Sequence, residues 1–114
     1  MHHRWLRFAL VPVTMLLLSG CPAPPPPLPC RGGACPSGAD WESLRECEAG
    51  GDYTAVSRSG KYRGAYQFDR RTWAAYGPPG DPAAASPAEQ DRRAYALFEA
   101  RGHAPWPLCG RHLR

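Results

Sequence analysis

DWESLRECEAGG, residues 40–51, predicts a short capped helix that ends in a glycine pair, and the rest of the chain is arranged around it. Asp40 can serve as the N-cap, because its carboxylate can accept a hydrogen bond from the first turn. Gly50 or Gly51 can adopt the left-handed conformation that closes a helix. The sequence therefore places one short helix at the start of the part of the chain that folds.

Glu48 lies on a side of this helix that is otherwise apolar. Trp41, Leu44 and Glu48 are spaced i, i+3 and i+7, so the carboxylate shares the face that the tryptophan and the leucine bury. A glutamate that loses hydration has a raised pKa and can hold a proton near neutral pH, as a general acid must. The alternative is that the helix end frays and leaves Glu48 solvated like Glu42 and Glu46.

The first 20 residues predict an export signal. A basic start precedes an apolar run over 8–18, which is too short to span a bilayer. The following LSGC, residues 18–21, resembles the lipobox of bacterial lipoproteins. The resemblance implies cleavage before Cys21, lipidation of Cys21 and attachment of the exported chain to a membrane. The alternative is ordinary secretion, with no role for Cys21.

Five cysteines are an odd number for an exported protein, but a lipidated Cys21 would leave four that can pair. Four cysteines permit three connectivities. Cys30 and Cys35 are near neighbours across a flexible loop that could close locally, which would leave Cys47 to join Cys109. Metal binding is the competing interpretation, but no histidine stands at zinc-finger spacing from either pair, and an oxidising compartment favours disulfides. We therefore expect no metal and no cofactor.

Residues 22–29 are nearly all proline and predict an extended spacer that holds the following domain away from the membrane. The predicted organisation is a lipoprotein signal peptide over 1–20, a lipidated cysteine with a Pro/Gly-rich linker over 21–39, one domain over 40–110 and a tail over 111–114. The folding part has about 70 residues, a size at which a core alone is marginal and a covalent staple is expected.

The charge balance argues against a nucleic-acid partner. Residues 22–114 hold 12 Lys and Arg against 10 Asp and Glu, and the basic residues form no run longer than the pairs Arg70-Arg71 and Arg92-Arg93. Nucleic-acid binding is therefore poorly supported. A slight positive balance is equally compatible with an acidic cell-wall polymer.

The domain is predicted to be α+β but mainly α, with three helices, a short irregular hairpin and one long-range disulfide. The first helix is the stretch quoted above. The hairpin is expected over 53–68, where serine and glycine interrupt aromatic and β-branched residues. Asp69 is predicted to cap a second helix, which Gly77 stops.

The third helix begins with the clearest start signal in the chain, because Ser86 is a typical N-cap and Glu89 completes a capping box. It is expected to run to about Arg101 and to end at Gly102. Gln90 lies on its buried face with several apolar residues. An amide turned inward needs partners, so Gln90 either satisfies backbone groups or contacts a substrate in a cleft.

Four segments of this domain resemble, in order, the transglycosylase-like domain of resuscitation-promoting factors, a small branch of the lysozyme superfamily. They are WESL leading into CEAGG over 41–51, GAYQF over 64–68, TW with YG over 72–77, and WPLC over 106–109. The resemblance implies a small lysozyme-like fold in which Cys47 and Cys109 form the family's disulfide. It also implies that Glu48 corresponds to the family's catalytic glutamate, which the adjacent cross-link would hold in place.

The resemblance also implies a sugar-binding groove, in which Asp69, Thr72 and Gln90 match lining positions. The substrate-binding candidates are Asp69, Thr72, Gln90, Gln67, Tyr66 and Trp73. Tyr66, Trp73 and Tyr76 could offer faces to sugar rings, although aromatic residues in so small a domain are more often core. Tyr66 also departs from the family, which usually has an aliphatic residue there, and the departure concerns subsite preference.

Glycosidases usually need two carboxylates about 5 to 9.5 Å apart. Besides Glu48, the nearby candidates are Asp52, which is equally a turn residue, and Asp69, which is explained as an N-cap. The resemblance offers a route with Glu48 alone, because lytic transglycosylases use the sugar's own 6-hydroxyl as nucleophile and leave a 1,6-anhydro end. The expected activity is cleavage of the MurNAc-GlcNAc β-1,4 bond of peptidoglycan, by a lytic transglycosylase or a muramidase.

Two alternatives of other classes stay open. One is a lipid-anchored module that binds peptidoglycan with little catalysis, and the other is a small disulfide-stapled inhibitor or adaptor that does not depend on Glu48. The expected partners are peptidoglycan glycan strands, the membrane through the lipid anchor and, as a candidate, another wall hydrolase. We expect a monomeric, exported lipoprotein that is anchored in the cell membrane and faces the wall.

Overall fold

The computed structural model describes Gly20, Cys30 and residues 35–114. In the described part of the chain three α-helices follow one another: α1 over Gly38–Ala49, α2 over Arg70–Ala75 and α3 over Pro87–Arg101. Two 3₁₀ helices accompany them, one over Pro82–Ala84 and one at the C-terminal end over Cys109–Leu113. The predicted fold, mainly helical with three helices, is confirmed.

Most of the predicted export and linker segments, including the proline-rich spacer over 22–29, fall on residues that the structure does not describe. Residues 1–19 and the predicted lipidation site Cys21 lie outside the described residues. Cys30 is described, and it forms a disulfide with Cys35. In the part of the chain that the structure describes, no helix combines the length and the hydropathy that crossing a membrane requires.

α1 begins three residues earlier than the sequence suggests. Ser37 is its N-cap, because the Ser37 hydroxyl accepts a hydrogen bond from Asp40 N at 3.2 Å and the Asp40 carboxylate accepts one from Ser37 N at 2.7 Å. This reciprocal capping box places Asp40 inside the first turn, so the prediction of Asp40 as N-cap is wrong. The predicted end is confirmed, because Gly50 has a φ of 61° and donates its N–H to Glu46 O at 3.0 Å.

The predicted hairpin consists of two antiparallel bridges, Val56 with Arg63 and Arg63 with Phe68, and it is irregular as expected. Arg63 N donates to Phe68 O at 2.9 Å and Phe68 N donates to Arg63 O at 3.0 Å, so the chain turns back on itself. Gly64, with a φ of 82°, lies in this turn, and a side chain there would collide with the Gln90 amide. The hairpin therefore packs closely against α3.

Side chains cap both later helices as predicted. Asp69 accepts a hydrogen bond from Thr72 N at 2.8 Å at the start of α2, and Ser86 accepts one from Glu89 N at 3.2 Å at the start of α3. The predicted capping box at Ser86 is only half formed. The Glu89 carboxylate turns to Arg93, at 2.7 Å, because the guanidinium one turn further along α3 offers a charged partner.

One aromatic core holds the helices and the hairpin together. The ring centroid of Trp41 in α1 lies 4.6 Å from that of Tyr95, 5.5 Å from that of Phe98 and 6.2 Å from that of Trp106. The other buried apolar residues are Leu44, Ala65, Tyr66, Phe68, Trp73, Ala94, Leu97, Cys109 and Leu113. Tilted and edge-on aromatic pairs contribute about 0.5 to 1.5 kcal/mol each beyond their buried area, so Trp41 anchors α1 to α3 and to the C-terminal segment.

The C-terminal 3₁₀ helix belongs to the domain. The sequence places 111–114 outside it as a tail, but Leu113 is only 4% exposed and lies in the core. Cys47 in the last turn of α1 and Cys109 form a disulfide across 62 residues, which confirms the predicted long-range bond. The packed domain therefore extends from the Ser37 cap to Leu113, and the disulfide ties its two ends together.

Candidate active site

A cleft of about 460 Å³ opens where the end of α1, the hairpin, the start of α2 and the C-terminal segment meet. Its volume lies within the range of small-molecule binding pockets. The polar side chains in its lining are Glu48 from α1, Gln67 from the hairpin, Asp69 and Thr72 from the start of α2, and Arg101 from the end of α3. The fold thus brings together polar groups from four separate parts of the chain.

Glu48 lies in the last turn of α1, directly after the cross-linked Cys47, and its helix continues in regular form to Ala49. Its side chain is half-buried, and this loss of hydration raises its pKa. No hydrogen bond or ion pair from the described residues offsets the loss. Glu48 therefore holds a proton to a higher pH than an exposed glutamate does, as the sequence predicts for this position.

Asp69 lines the same cleft in the opposite environment. Its carboxylate accepts hydrogen bonds from Thr72 N at 2.8 Å and from Thr72 Oγ1 at 3.0 Å. The backbone bond above all holds the pKa of Asp69 below its ordinary value, and the nearby charge of Lys61 adds to this effect. Asp69 is therefore ionised at neutral pH, which leaves Glu48 as the carboxyl group of the cleft that is suited to donate a proton.

Asp52, the other carboxylate near Glu48 in the sequence, is not in the cleft lining. It is exposed, and it accepts hydrogen bonds from Thr54 N at 2.8 Å and from Thr54 Oγ1 at 2.7 Å. These bonds lower the pKa of Asp52, the hydroxyl bond most of all. Asp52 is therefore a turn residue, the second of the two interpretations that its position allows.

Gln67 reaches the cleft from an unusual backbone conformation. It has a φ of 52°, and among the described residues no other side-chain-bearing residue has a positive φ. Its Nε2 donates to Gly64 O at 2.9 Å across the turn. A non-glycine residue in the left-handed region costs about 1 to 3 kcal/mol and persists only where its surroundings hold it. The hairpin therefore presents the Gln67 amide to the cleft in a fixed orientation.

Gln90 lies outside the cleft, which corrects the groove position that the family resemblance implies for it. Its side chain is fully buried. The amide oxygen accepts a hydrogen bond from Ala65 N at 2.9 Å, and Nε2 donates to Tyr53 O at 2.9 Å and to Ala85 O at 3.0 Å. Gln90 therefore satisfies backbone groups of the hairpin and of the segment before α3, the first of the two alternatives that the sequence left open.

Two of the predicted sugar-stacking residues are core residues. Trp73 is 2% exposed, and the Cζ atom of Arg93 lies 3.8 Å from its ring centroid. Tyr66 is 1% exposed, and its hydroxyl donates to Asp91 and accepts from Arg45 Nη1 at 2.9 Å. Tyr66 borders the cleft, but neither ring has an open face. The prediction that these two residues stack on sugars is therefore wrong, because the core needs both rings.

Comparison with known proteins assigns this arrangement to a family. The family model described as a transglycosylase-like domain matches residues 35–109, which contain the whole cleft. The chain belongs to this family.

Curated relatives of this transglycosylase-like domain are resuscitation-promoting factors. It is 42% identical over 71 residues to resuscitation-promoting factor RpfC from Mycobacterium tuberculosis, a match that covers 62% of this chain and 50% of the relative. It is 39% identical over 70 residues to RpfD from the same species, a match that covers 61% of this chain and 45% of RpfD. It is 41% identical over 73 residues to Rpf from Micrococcus luteus, covering 64% and 32%. The chain spans half the length of these relatives or less, and the matches confirm the resemblance in the sequence motifs.

Three parts of the cleft of this transglycosylase-like domain were missed by the sequence analysis as site residues: Tyr62, Arg101 and the segment 104–107. Tyr62 is 42% exposed, whereas the other aromatic residues of the lining are buried. Its position beside the GAYQF motif is a signal that could have identified it. Arg101 is far from Glu48 in the chain, and no local pattern connects an arginine at the end of α3 with a cleft.

Proposed function

We propose that this transglycosylase-like domain cleaves the glycan strands of peptidoglycan and that Glu48 is its single general acid and base. The observation that carries the proposal is the state of Glu48, which is half-buried in the cleft, has a raised pKa and has no hydrogen-bond partner among the described residues. A general acid works best when its pKa is close to the working pH. The description of the family supports the same class of reaction.

The proposed target is the β-1,4 bond from MurNAc to GlcNAc. Glu48 donates its proton to the glycosidic oxygen while the bond between that oxygen and C1 of MurNAc breaks. The Glu48 carboxylate then accepts the proton of the 6-hydroxyl of the same MurNAc, whose oxygen forms a new bond to C1. The products are a GlcNAc with a free hydroxyl and a 1,6-anhydro-MurNAc end, and Glu48 is protonated again.

The state of Asp69 supports a route with one carboxylate. A retaining glycosidase needs a second carboxylate that is free to attack, and an inverting one needs a second carboxylate that is free to activate water. Both oxygens of Asp69 accept hydrogen bonds from Thr72, and Asp52 is bonded to Thr54 outside the cleft. The 6-hydroxyl of the substrate is therefore the proposed nucleophile, in preference to water.

Asp69, Thr72 and Gln67 are the proposed hydrogen-bonding partners of the sugar hydroxyls. They line the cleft together with Glu48, and all three are partly exposed. Tyr62 is the proposed aromatic contact, because its ring is 42% exposed at the same cleft. An exposed aromatic face combined with polar groups suits a sugar, which has both apolar C–H surfaces and hydroxyls.

We also propose that the protein is exported as a monomer and anchored by lipid on Cys21, so that it works on the wall from a proline-rich tether, alone or with another wall hydrolase. The support is the order of a basic start, an apolar run and LSGC over 18–21. Cys21→Ser should release the protein from the membrane fraction of cells. A Cys21→Ser protein that stays bound to membranes would contradict the anchor.

Digestion of purified peptidoglycan, with mass spectrometry of the released sugar ends, tests the proposed reaction. Glu48→Gln keeps the size of the side chain but removes the transferable proton. Release of muropeptides should therefore fall by a factor of about 10² to 10⁴, while binding to the wall stays nearly unchanged. Glu42→Gln, at an exposed position of the same helix, is the matched control and should keep full activity.

The sugar ends and the variant together separate the alternatives. Products with 1,6-anhydro ends support the route with one carboxylate. Reducing ends would indicate hydrolysis, with Glu48 still acting as the acid. Equal release by the wild type and by Glu48→Gln would overturn the role of Glu48 and favour a module that binds peptidoglycan without cleaving it.

A further inference from the structure

A second depression, of about 450 Å³, adjoins the cleft at Asp69, which lines both. Its other lining residues are Gly60 and Lys61 from the hairpin and Arg70 and Arg71 from the first turn of α2. The three basic side chains are exposed. The proposed glycan cleft is thus continuous with a surface on which three cations stand close together.

The positive charge of this depression is only partly neutralised within the described part of the chain, because one carboxylate in its lining faces three cations. Asp69 is the one carboxylate in its lining, and its oxygens already accept hydrogen bonds within the first turn of α2. Arg70 donates to an uncharged group, Gly80 O, at 3.0 Å, and Lys61 Nζ lies 5.3 Å from the ring centroid of Tyr62. None of the three basic residues forms an ion pair with a described residue.

Four other arginines in the described domain form ion pairs with carboxylates. Arg63 lies 2.6 Å from Asp81, and Arg93 lies 2.7 Å from Glu89. The cations of the depression differ from these arginines, because they form no ion pair with a described residue and share one concave surface. Like charges gathered in a concave surface create a local positive potential that attracts anions.

We infer that Lys61, Arg70 and Arg71 form an anion subsite beside the cleft, which binds a carboxylate or phosphate group carried by the glycan strand. The inference rests on the proposed function, since it requires a glycan strand in the cleft. Sugar hydroxyls are uncharged and need no cation, whereas carboxylates and phosphates form charge-assisted hydrogen bonds with arginine and lysine. In a cell wall, carboxylates are carried by the peptide stems and phosphates by attached polymers.

Cleavage of walls that differ in their anionic groups tests this subsite. Lys61→Gln/Arg71→Gln removes two charges from the depression, and the control Arg111→Gln/Arg114→Gln removes two exposed charges at the chain end. On intact walls at low salt, the first variant should have a KM about tenfold above that of the wild type with kcat nearly unchanged, as expected for losing two exposed charge contacts. The control variant should match the wild type.

Two treated substrates identify the anionic group. Walls whose peptide stems have been removed by an amidase should abolish the difference between the variant and the wild type if the group is a stem carboxylate. Walls treated with acid to remove phosphodiester-linked polymers should abolish it if the group is a phosphate. A difference that persists on glycan lacking both groups, or no difference on any substrate, would overturn the subsite.

Sedimentation with intact walls separates this inference from the proposed reaction. In the Glu48→Gln background no cleavage is needed, and adding Lys61→Gln/Arg71→Gln should weaken binding about tenfold at low salt and much less at about 1 M salt, where charges are screened beyond about 3 Å. Weakened binding in this background, together with a wild type that does not cleave peptidoglycan, would sustain the subsite and overturn the reaction. Active cleavage with unchanged binding and an unchanged KM would overturn the subsite alone.

Discussion

The cleft differs from the polar layer between the hairpin and α3 in how fully its polar groups are hydrogen-bonded. The polar layer consists of Tyr53, Tyr66, Gln90 and Asp91. The Gln90 amide forms hydrogen bonds with three backbone groups, and one oxygen of Asp91 accepts hydrogen bonds from both phenol hydroxyls. Among the described residues, no buried polar side-chain atom lacks a partner. The polar layer is therefore part of what holds the hairpin to α3.

Protonation separates the two regions as well. Burial, together with the hydrogen bond to Asp91, raises the pKa of Tyr53 to about 12 and also raises that of Tyr66, so both phenols stay protonated at neutral pH. Glu48 in the cleft has lost hydration without gaining a partner. A buried polar group whose hydrogen bonds are all formed stabilises a fold. A titratable group in a cleft that has no hydrogen-bond partner is free to transfer a proton. The difference indicates which polar residues serve structure and which serve chemistry.

Removal of the long disulfide should have the largest effect, because this bond supports both regions at once. Cys47 and Cys109 close a loop of 62 residues, for which the chain-entropy relation gives about 4 kcal/mol of stability. Cys47→Ala/Cys109→Ala should therefore unfold at a much lower urea concentration, and Glu48 should lose its fixed position. The control Cys30→Ala/Cys35→Ala should leave the urea midpoint of the domain unchanged, since that loop precedes α1. Equal midpoints for all three proteins would show that the long disulfide is dispensable.

Gln90→Leu should have the next largest effect and should act on stability alone. The leucine leaves Ala65 N, Tyr53 O and Ala85 O without their partner in a buried place, which should cost about 3 kcal/mol in urea unfolding. Gln67→Leu is the matched control, because Gln67 is partly exposed and bonds one backbone group, so its cost should stay below about 1 kcal/mol.

The same two variants test whether Gln67 binds the substrate and Gln90 does not. The KM of Gln67→Leu on peptidoglycan should rise, and that of folded Gln90→Leu should not. If Gln90→Leu kept its stability and lost affinity for the substrate, Gln90 would belong to the sugar groove after all.

Asp91→Asn should have an intermediate effect on stability. The neutral amide oxygen accepts weaker hydrogen bonds from the two phenols than the carboxylate oxygen does, and it loses the attraction to Arg45, whose Nη1 lies 3.8 Å from Asp91 Oδ1. Because Asp91 is partly exposed, the free energy of unfolding should fall by about 1 to 2 kcal/mol. Measured in urea, with kcat on peptidoglycan as a second readout, the variant should be less stable and equally active. A tenfold loss of kcat in the folded variant would show that the polar layer contributes to catalysis as well as to stability.

Glu48→Gln should have the smallest effect on stability, and it should make the domain more stable. Because burial raises the pKa of Glu48, its contribution to stability is complete below the pKa of an unfolded glutamate, about 4.3, and is lost as the pH rises through the folded pKa. At pH 7 the ionised carboxylate therefore costs stability, and glutamine should stabilise the domain by less than about 1 kcal/mol, since the site is partly exposed. The gain should vanish at about pH 3, as urea unfolding at both pH values would show.

Asp69→Asn, in the same cleft, should change the stability of the domain in the opposite direction. Hydrogen bonds from Thr72 lower the pKa of Asp69, so its contribution to stability is present above the unfolded pKa and is lost as the pH falls through the folded one. The substitution should destabilise the domain at pH 7 and have less effect at about pH 3. If both carboxylates behaved alike, the contrast between Glu48 and Asp69 would be wrong.

Features that depend on near neighbours in the chain were predictable from the sequence. Asp69 and Ser86 cap their helices, and Gly50 ends α1, through contacts that reach only a few residues. The place of Glu48 on an otherwise buried face follows from its helical spacing to Trp41. Where two local solutions compete, the sequence alone did not decide between them: Ser37 took the cap expected of Asp40, because a capping box uses both residues in opposite roles.

The tertiary structure alone decided which polar residues face the cleft. Gln90 and Gln67 are both glutamines beside predicted site residues, yet Gln90 bonds Tyr53 O from 37 residues away while Gln67 lines the cleft. Arg101 enters the cleft lining and Leu113 enters the core in the same way, through packing between distant parts of the chain. Local spacing determines which face of a helix or turn a side chain occupies. What that face meets depends on how the hairpin, α3 and the C-terminal helix close around α1, and the periodicity of the sequence carries no record of those contacts.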